Sequence, residues 1–287
     1  HSVSQIRFLG SMLDSVCADL AETSERAVEQ SAQRYFDPPT DRIELTEVDY
    51  QYPGAGSNSL NRLSLAIKAK TTVGIVGGTG AGKTTAIDVI LGLLRPDSGG
   101  LYVDGKLVEE CDIRGWQKSV GYVPQQIFLT DDTIAANIAF GIPEAERDAA
   151  KIKHAAKLAN LHDFVEKELP DGYQTRVGER GVRLSGGQRQ RIGIARALYS
   201  DPAVLIFDEA TSALDNITER AVMDAVGNLT HEKTIIMIAH RLSTVRNCDQ
   251  IFLLDKGGLS ASGTYEELRQ NSEIFRHMAE ADGEGPV

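Results

Sequence analysis

A chain of 287 residues, 41% hydrophobic and 25% charged, has the composition of an ordinary soluble globular protein and is long enough for one large domain or two modest ones. Its net charge of -11 argues against a general nucleic-acid binder, whose surface is normally basic. Cys17, Cys111 and Cys248 form neither a disulfide framework nor a zinc spacing, and no apolar run approaches the roughly 18–20 residues that cross a bilayer.

Residues 5–30 carry Ile6, Leu9, Leu13, Val16 and Leu20 at three- and four-residue spacing, the stripe of an amphipathic helix. Such a stripe fits packing on the body of the domain or on a partner. Pro38-Pro39 breaks the pattern, so residues 1–40 read as a helix and linker ahead of a domain spanning 41–287. The chain begins at His1 rather than methionine, which reads as a piece of something longer.

Strands dominate from about residue 42, first RIELTEVDYQY and then the run LSLAIKAKTTVGIV, which ends at Gly77. A helix, AIDVILGLL, stops before Pro96, and Asp104-Gly105 inside LYVDGKLV predicts a hairpin. Residues 145–200 are rich in helix formers and begin within a helical subdomain placed at roughly 126–200. VLIFDEA, TIIMIAH and QIFLLD then return as short, nearly continuous apolar strands separated by helical segments. The fold class is α/β, with a mainly parallel core sheet covered on both faces, an N-terminal antiparallel β piece and an inserted helical part.

The stretch Gly77-Gly78-Thr79-Gly80-Ala81-Gly82-Lys83-Thr84 fits the phosphate-loop pattern G-x-x-x-x-G-K-[ST], after a strand and before a helix. Glycines let successive N–H groups face inward and leave room for phosphate oxygens. Hydrogen bonds to a charged group, roughly 1.5–3 kcal/mol each, outweigh the helix dipole at about 0.3–1 kcal/mol, so the amides and Lys83 carry most of the binding. Thr84 supplies a hydroxyl for Mg²⁺ and Thr85 can donate to an inner phosphate. Asp208 and Glu209 close the apolar strand VLIF. Asp208 is the candidate Mg²⁺ ligand, and Glu209 the candidate general base or water positioner if the chain turns there. His240, at the exit of TIIMIA, is placed for the terminal phosphate, and Gln125, in GYVPQQ, for the metal or the attacking water.

A second glycine pair follows about a hundred residues later, in LSGGQRQR. Ser185-Gly186-Gly187-Gln188 has the S-x-x-Q form of a capping box. Such a box does not need two glycines in its first turn, each costing up to about 1 kcal/mol against alanine. Close approach of an anion to the backbone would explain them.

Taken together, GGTGAGKTT, LSGGQRQR, VLIFDEATSALD and IAHR resemble the nucleotide-binding domain of ATP-binding cassette (ABC) transporters, over about residues 42–280. The resemblance implies a P-loop NTPase fold, ATP and Mg²⁺ as ligands, and ATP hydrolysis. It assigns Tyr52 to stacking on adenine, with Tyr50 as the competing aromatic, Gln125 to the Q-loop, Ser185 to Gln188 to the signature, Ser212 to Asp215 to the D-loop, and His240 to the switch histidine. It also implies head-to-tail pairing of two copies, each signature capping the ATP held by the other copy's Gly77–Thr85 loop. Thr175 to Gly181, TRVGERG, resembles the X-loop of exporters, with Arg176 where the family often has Glu. An exporter reading implies a transmembrane partner fused upstream, the cytoplasmic face of a bacterial inner membrane, and a lipid, polysaccharide or lipid-linked sugar as cargo. A soluble cassette ATPase acting on DNA or ribosomes is the competing reading; the long insertion, tandem cassette or basic surface expected of it does not appear in the sequence.

Overall fold

The computed structural model describes residues 36–209, 227, 229, 232–239 and 241–282. The stripe from Ile6 to Leu20, the Ser212–Asp215 stretch and His240 lie outside the described residues.

Two sheets form. The first is antiparallel, in the order β2-β1-β4-β5, from β1 (Arg42–Tyr50), β2 (Leu60–Lys68), β4 (Ser98–Val103) and β5 (Lys106–Leu107). The second has the order β10-β9-β3-β8-β7-β6, from β3 (Thr72–Gly77), β6 (Val120–Val123), β7 (Val204–Asp208), β8 (Thr234–Ile238), β9 (Gln250–Asp255) and β10 (Gly258–Gly263). The four pairings from β9 to β6 are parallel, and β10 closes one edge antiparallel to β9. The run LSLAIKAKTTVGIV is divided between the two sheets. Lys70 takes a left-handed φ of 57°, and the chain leaves β2 to enter β3 through that turn.

Side-chain alternation explains why the central sheet is apolar throughout. Val73, Ile75, Val204, Ile206, Ile236, Ile238, Phe252 and Leu254 face the antiparallel sheet and the helix Lys83–Ile90. Their neighbours Val76, Leu205, Phe207, Ile235, Met237, Ile251 and Leu253 face the other way, into a core built with the helices between Ile134 and Leu198. A strand buried on both faces has no polar side to show, which is the parallel-sheet signature. The helical part runs through Ile134–Ile138, Ala149–Leu158, His162–Glu168 and Gly186–Leu198. No helix among the described residues is long and apolar enough to cross a membrane.

Asp104 and Gly105 form the predicted hairpin turn, both at positive φ. The Asp104 carboxylate also accepts hydrogen bonds from the backbone N–H groups of Thr40, Asp41 and Arg42 and from the Thr40 hydroxyl, at 2.7–2.9 Å. These bonds tie the entry of the chain to the β4–β5 turn. Burial pushes the carboxyl up, but the N–H groups of Thr40 and Arg42, the Thr40 hydroxyl and the Asp41 N–H outweigh it and hold Asp104 at about 2. A depressed carboxyl stabilises the fold above its unfolded value of 3.8 and loses that effect as pH falls through about 2. Urea titrations should therefore show stability falling between about pH 4 and pH 2 in the wild type. Asp104→Asn should be less stable at neutral pH and show a shallower fall over that window; an identical fall would contradict the latch.

Candidate functional site

The phosphate loop leaves β3 at Gly77 and turns into the helix Lys83–Ile90. Gly77, Gly80 and Gly82 have φ of 154°, 76° and 98°, conformations that side chains resist. Gly77 is pressed against the Leu254 carbonyl, and a Cβ at Gly82 would lie 2.7 Å from the Ser59 carbonyl oxygen. Gly78 meets nothing within 4 Å. No side chain caps the helix at Gly82, so the N–H groups of its first turn are left for another acceptor. Thr79 and Ala81 complete the turn, with the Ala81 N–H donating to the Gly78 carbonyl at 3.2 Å.

Lys83 is 6% exposed and folds back over the loop, its Nζ donating to the Gly77 and Gly78 carbonyls at 2.9 and 3.0 Å. Burial holds the ammonium's pKa below its ordinary value, against the opposing charges of Glu209 and Asp208. The loop lysine and the two carboxylates ending β7 therefore lie within electrostatic reach of one another. Thr84 is exposed at the helix start, and Thr85 is buried.

Asp208 is buried at the end of β7 and accepts a hydrogen bond from the Tyr122 hydroxyl at 3.1 Å. Burial, reinforced by the Asp208 charge, pushes the Tyr122 phenol above its ordinary value. Asp88, one helical turn beyond Thr84, is also pushed up, first by burial and then by Asp208. Neither residue belongs to a motif singled out in the sequence. Asp88 was visible as an acid four residues after Thr84, on the same helix face; Tyr122 carried no comparable signal.

Glu209 takes a left-handed φ of 48° while its N–H still donates to the Ile238 carbonyl at 3.1 Å. The ladder thus persists one residue past the strand, and the side chain turns out of the alternation. It accepts a hydrogen bond from Gln125 Nε2 at 2.6 Å. A carboxylate held by an amide beside a buried lysine can orient a water and take its proton. The donor set of a threonine hydroxyl, an aspartate and a side-chain amide is all hard oxygen, which fits Mg²⁺.

Tyr52 and Tyr50 are separated by the end of β1. Tyr50 is buried, whereas Tyr52 is 39% exposed and stands edge-on to it, 4.9 Å between centroids. The Tyr52 hydroxyl lies 3.4 Å from Thr85 Oγ1, which puts the exposed ring beside the phosphate loop.

The second glycine pair opens the helix Gly186–Leu198. Its capping box is complete: the Gln188 N–H donates to Ser185 Oγ at 3.2 Å and the Ser185 N–H to Gln188 Oε1 at 2.8 Å. Gly186 and Gly187 lie in the first turn, where N–H groups lack intrahelical partners. Among the described residues, no hydrogen bond joins Ser185–Gln188 to Gly77–Thr85. A cleft of about 490 Å³ among Ile152, Glu166 and Tyr173 contains none of these groups.

The sequence pattern of the family described as ABC transporter matches residues 60–212. The chain is 42% identical over 253 residues to an ATP-dependent lipid A-core flippase of Saccharophagus degradans, covering 88% of this chain and 42% of that protein. It is 41% identical over 256 residues to ABC transporter B family member 1 of Arabidopsis thaliana, covering 89% of this chain and 20% of that one. Among solved structures, a bacterial Atm1-family ABC exporter with ATP bound superposes with a TM-score of 0.82 at 32% identity, over 97% of this chain and 50% of the exporter.

Loop geometry separates the glycines by what they do. Gly82→Ala forces a side chain into a left-handed turn against the Ser59 carbonyl and should cost about 1–3 kcal/mol in a denaturant titration. Gly78→Ala should stay within about 0.5 kcal/mol of wild type. Equal losses at the two positions would contradict the loop geometry.

Proposed function

The chain belongs to the ABC transporter family, and from that premise we propose that it binds and hydrolyses ATP in a site completed by a second copy, and so powers export across a membrane. The observation that carries the enzymatic reading is Glu209, turned out of β7 and held by Gln125 at 2.6 Å on the carboxyl side of the same sheet that presents the phosphate loop.

On this reading the amides of Gly77–Gly82, Lys83 and Thr85 hold the phosphate chain, and Tyr52 stacks on the adenine. Lys83 now spends two of its protons on the Gly77 and Gly78 carbonyls, and a phosphate oxygen is a better acceptor for a charged donor. Thr84, Asp208 and Gln125 hold Mg²⁺, which when bound neutralises phosphate charge and polarises the transferred group. Tyr122 fixes one oxygen of Asp208. Glu209 orients the attacking water and accepts its proton, with Gln125 fixing the carboxylate. His240 contacts the terminal phosphate.

Ser185, Gly186, Gly187 and Gln188 serve the ATP of the other copy. The Ser185–Gln188 box already fixes the start of that helix, so the glycines are not needed for capping. Head-to-tail pairing puts their free N–H groups over the partner's phosphate loop, and hydrolysis releases the pair.

The relatives are about twice this chain's length or more, so coupling to a transmembrane domain is inferred from likeness to exporters. The exposed side chain of Arg176, in the stretch bridged to Thr133, is available for that partner. The domain then works at the cytoplasmic face of a membrane, the bacterial inner membrane being the setting that the flippase likeness favours. A lipid or lipid-linked cargo follows from the same likeness.

Glu209→Gln should retain ATP affinity and accumulate an ATP-bound dimer while turnover falls by about 10²–10⁴-fold. Steady-state ATPase assays with size-exclusion chromatography measure both; unchanged turnover would overturn the role of Glu209.

A further inference from the structure

The loop that carries Gln125 does not hold itself in place. Gln125 and Gln126 are exposed, Ile127 is half-buried and Phe128 is 61% exposed, so apolar burial anchors the segment only beyond them, at Leu129. What fixes it comes from the far end of the helix that begins at the second glycine pair. Arg196 Nη1 donates to the Phe128 carbonyl at 2.9 Å. Its Nε donates to the Asn137 carbonyl at 2.8 Å and its Nη2 to Asn137 Oδ1 at 3.2 Å. The guanidinium also lies over the Phe140 ring, 4.7 Å from the centroid.

Asn137 is fully buried and continues the network. Its Oδ1 accepts from the Thr130 N–H, and its Nδ2 donates to the Thr130 and Thr133 carbonyls, at 3.0–3.1 Å. The loop is therefore gripped at Phe128 and again at Thr130.

Gly193 supplies a second, independent hold one turn earlier on the same helix. A Cβ there would collide with the Ile127 side chain, with Cγ1 at 2.8 Å, so Ile127 lies in a notch that only glycine leaves open. Arg196 has no carboxylate partner among the described residues; its hydrogen-bond acceptors are carbonyl oxygens on two separate segments. That is a use of the planar fork for geometry rather than charge, and lysine cannot reproduce it.

We propose that Arg196 and the Gly193 notch are positioning residues for hydrolysis: they fix Ile127 and Phe128, and through them keep Gln125 against Glu209. The helix that presents Ser185–Gln188 and the loop that presents Gln125 then move as one body. Engagement of the glycine pair by a second copy is thereby felt at Glu209, more than one element away. This inference rests on the proposed roles of Gln125 and Glu209 and adds residues that touch neither nucleotide nor water.

A double-mutant cycle on the 287-residue chain tests it, comparing wild type, Gln125→Ala, Arg196→Lys and the double variant by kcat, KM for ATP and thermal midpoint. Arg196→Lys should lower kcat about tenfold with little change in KM, and should add no further loss once Gln125 is alanine. A merely structural role would lower the thermal midpoint and multiply the kcat losses in both backgrounds, which would overturn the proposal. Ile127→Ala, which empties the notch without touching the arginine, should show the same dependence on Gln125 and decides the matter if Arg196→Lys does not fold. Silence of Gln125→Ala itself would overturn the reading of Gln125 together with the clamp, whereas independent losses would overturn the clamp alone.

Discussion

Ile238 of β8 lies level with Ile75 of β3 on one side and with Asp208 of β7 on the other. Two backbone bonds extend the match beyond the strands, the Ala239 N–H donating to the Ile75 carbonyl and the Glu209 N–H to the Ile238 carbonyl. With adjacent strands about 4.8 Å apart, this register brings the start of the phosphate loop and the paired carboxylates to the same sheet end, roughly 10 Å from each other. A slip of one residue would reverse every side chain on β7 and bury Glu209's neighbours on the wrong face. Both apolar cores oppose such a slip, because each alternate residue of β7 and β8 is committed to one of them.

The same register explains how one sheet serves two bodies. The face toward Ile236 and Ile238 carries the antiparallel sheet and the phosphate-loop helix, and these hold Tyr52 and Thr85 together. The opposite face carries the helical part, which holds the second glycine pair and, through Arg196 and Gly193, the Gln125 loop. Gln125 reaches across to Glu209 at the end of β7, and that contact joins the helical part to the central sheet at the site. Among the described residues the second glycine pair makes no hydrogen bond to the phosphate loop of its own chain, and its cap is satisfied locally, which is the arrangement expected if it serves another copy.

Motifs that carry chemistry were legible because their residues are dictated locally. The phosphate loop needs glycines at positive φ, a carboxylate pair must end an apolar strand, and the S-x-x-Q cap is a short-range bond pattern. The division of LSLAIKAKTTVGIV into β2 and β3 was not legible, since Lys70 gives no glycine or proline signal for its left-handed turn. The edge strand β10 is less legible, because its turn at Lys256-Gly257, both at positive φ, lacks the Asp-Gly signal that marks Asp104-Gly105. Tyr122 and Arg196 act through contacts between segments distant in the chain, and one sequence holds no record of which segments meet. Tyr52 could be separated from Tyr50 only once β1 was seen to end between them.

The central claim is that one chain supplies half of each site. Mixing two inactive variants tests it: Lys83→Ala, which disables the phosphate loop, and Gly187→Asp, whose carboxylate repels phosphate while the Ser185–Gln188 box is kept. In an equal mixture half of the pairs contain one of each and restore one of their two sites, so ATPase activity should return to about a quarter of wild type. A mixture no more active than either variant alone would contradict the shared site.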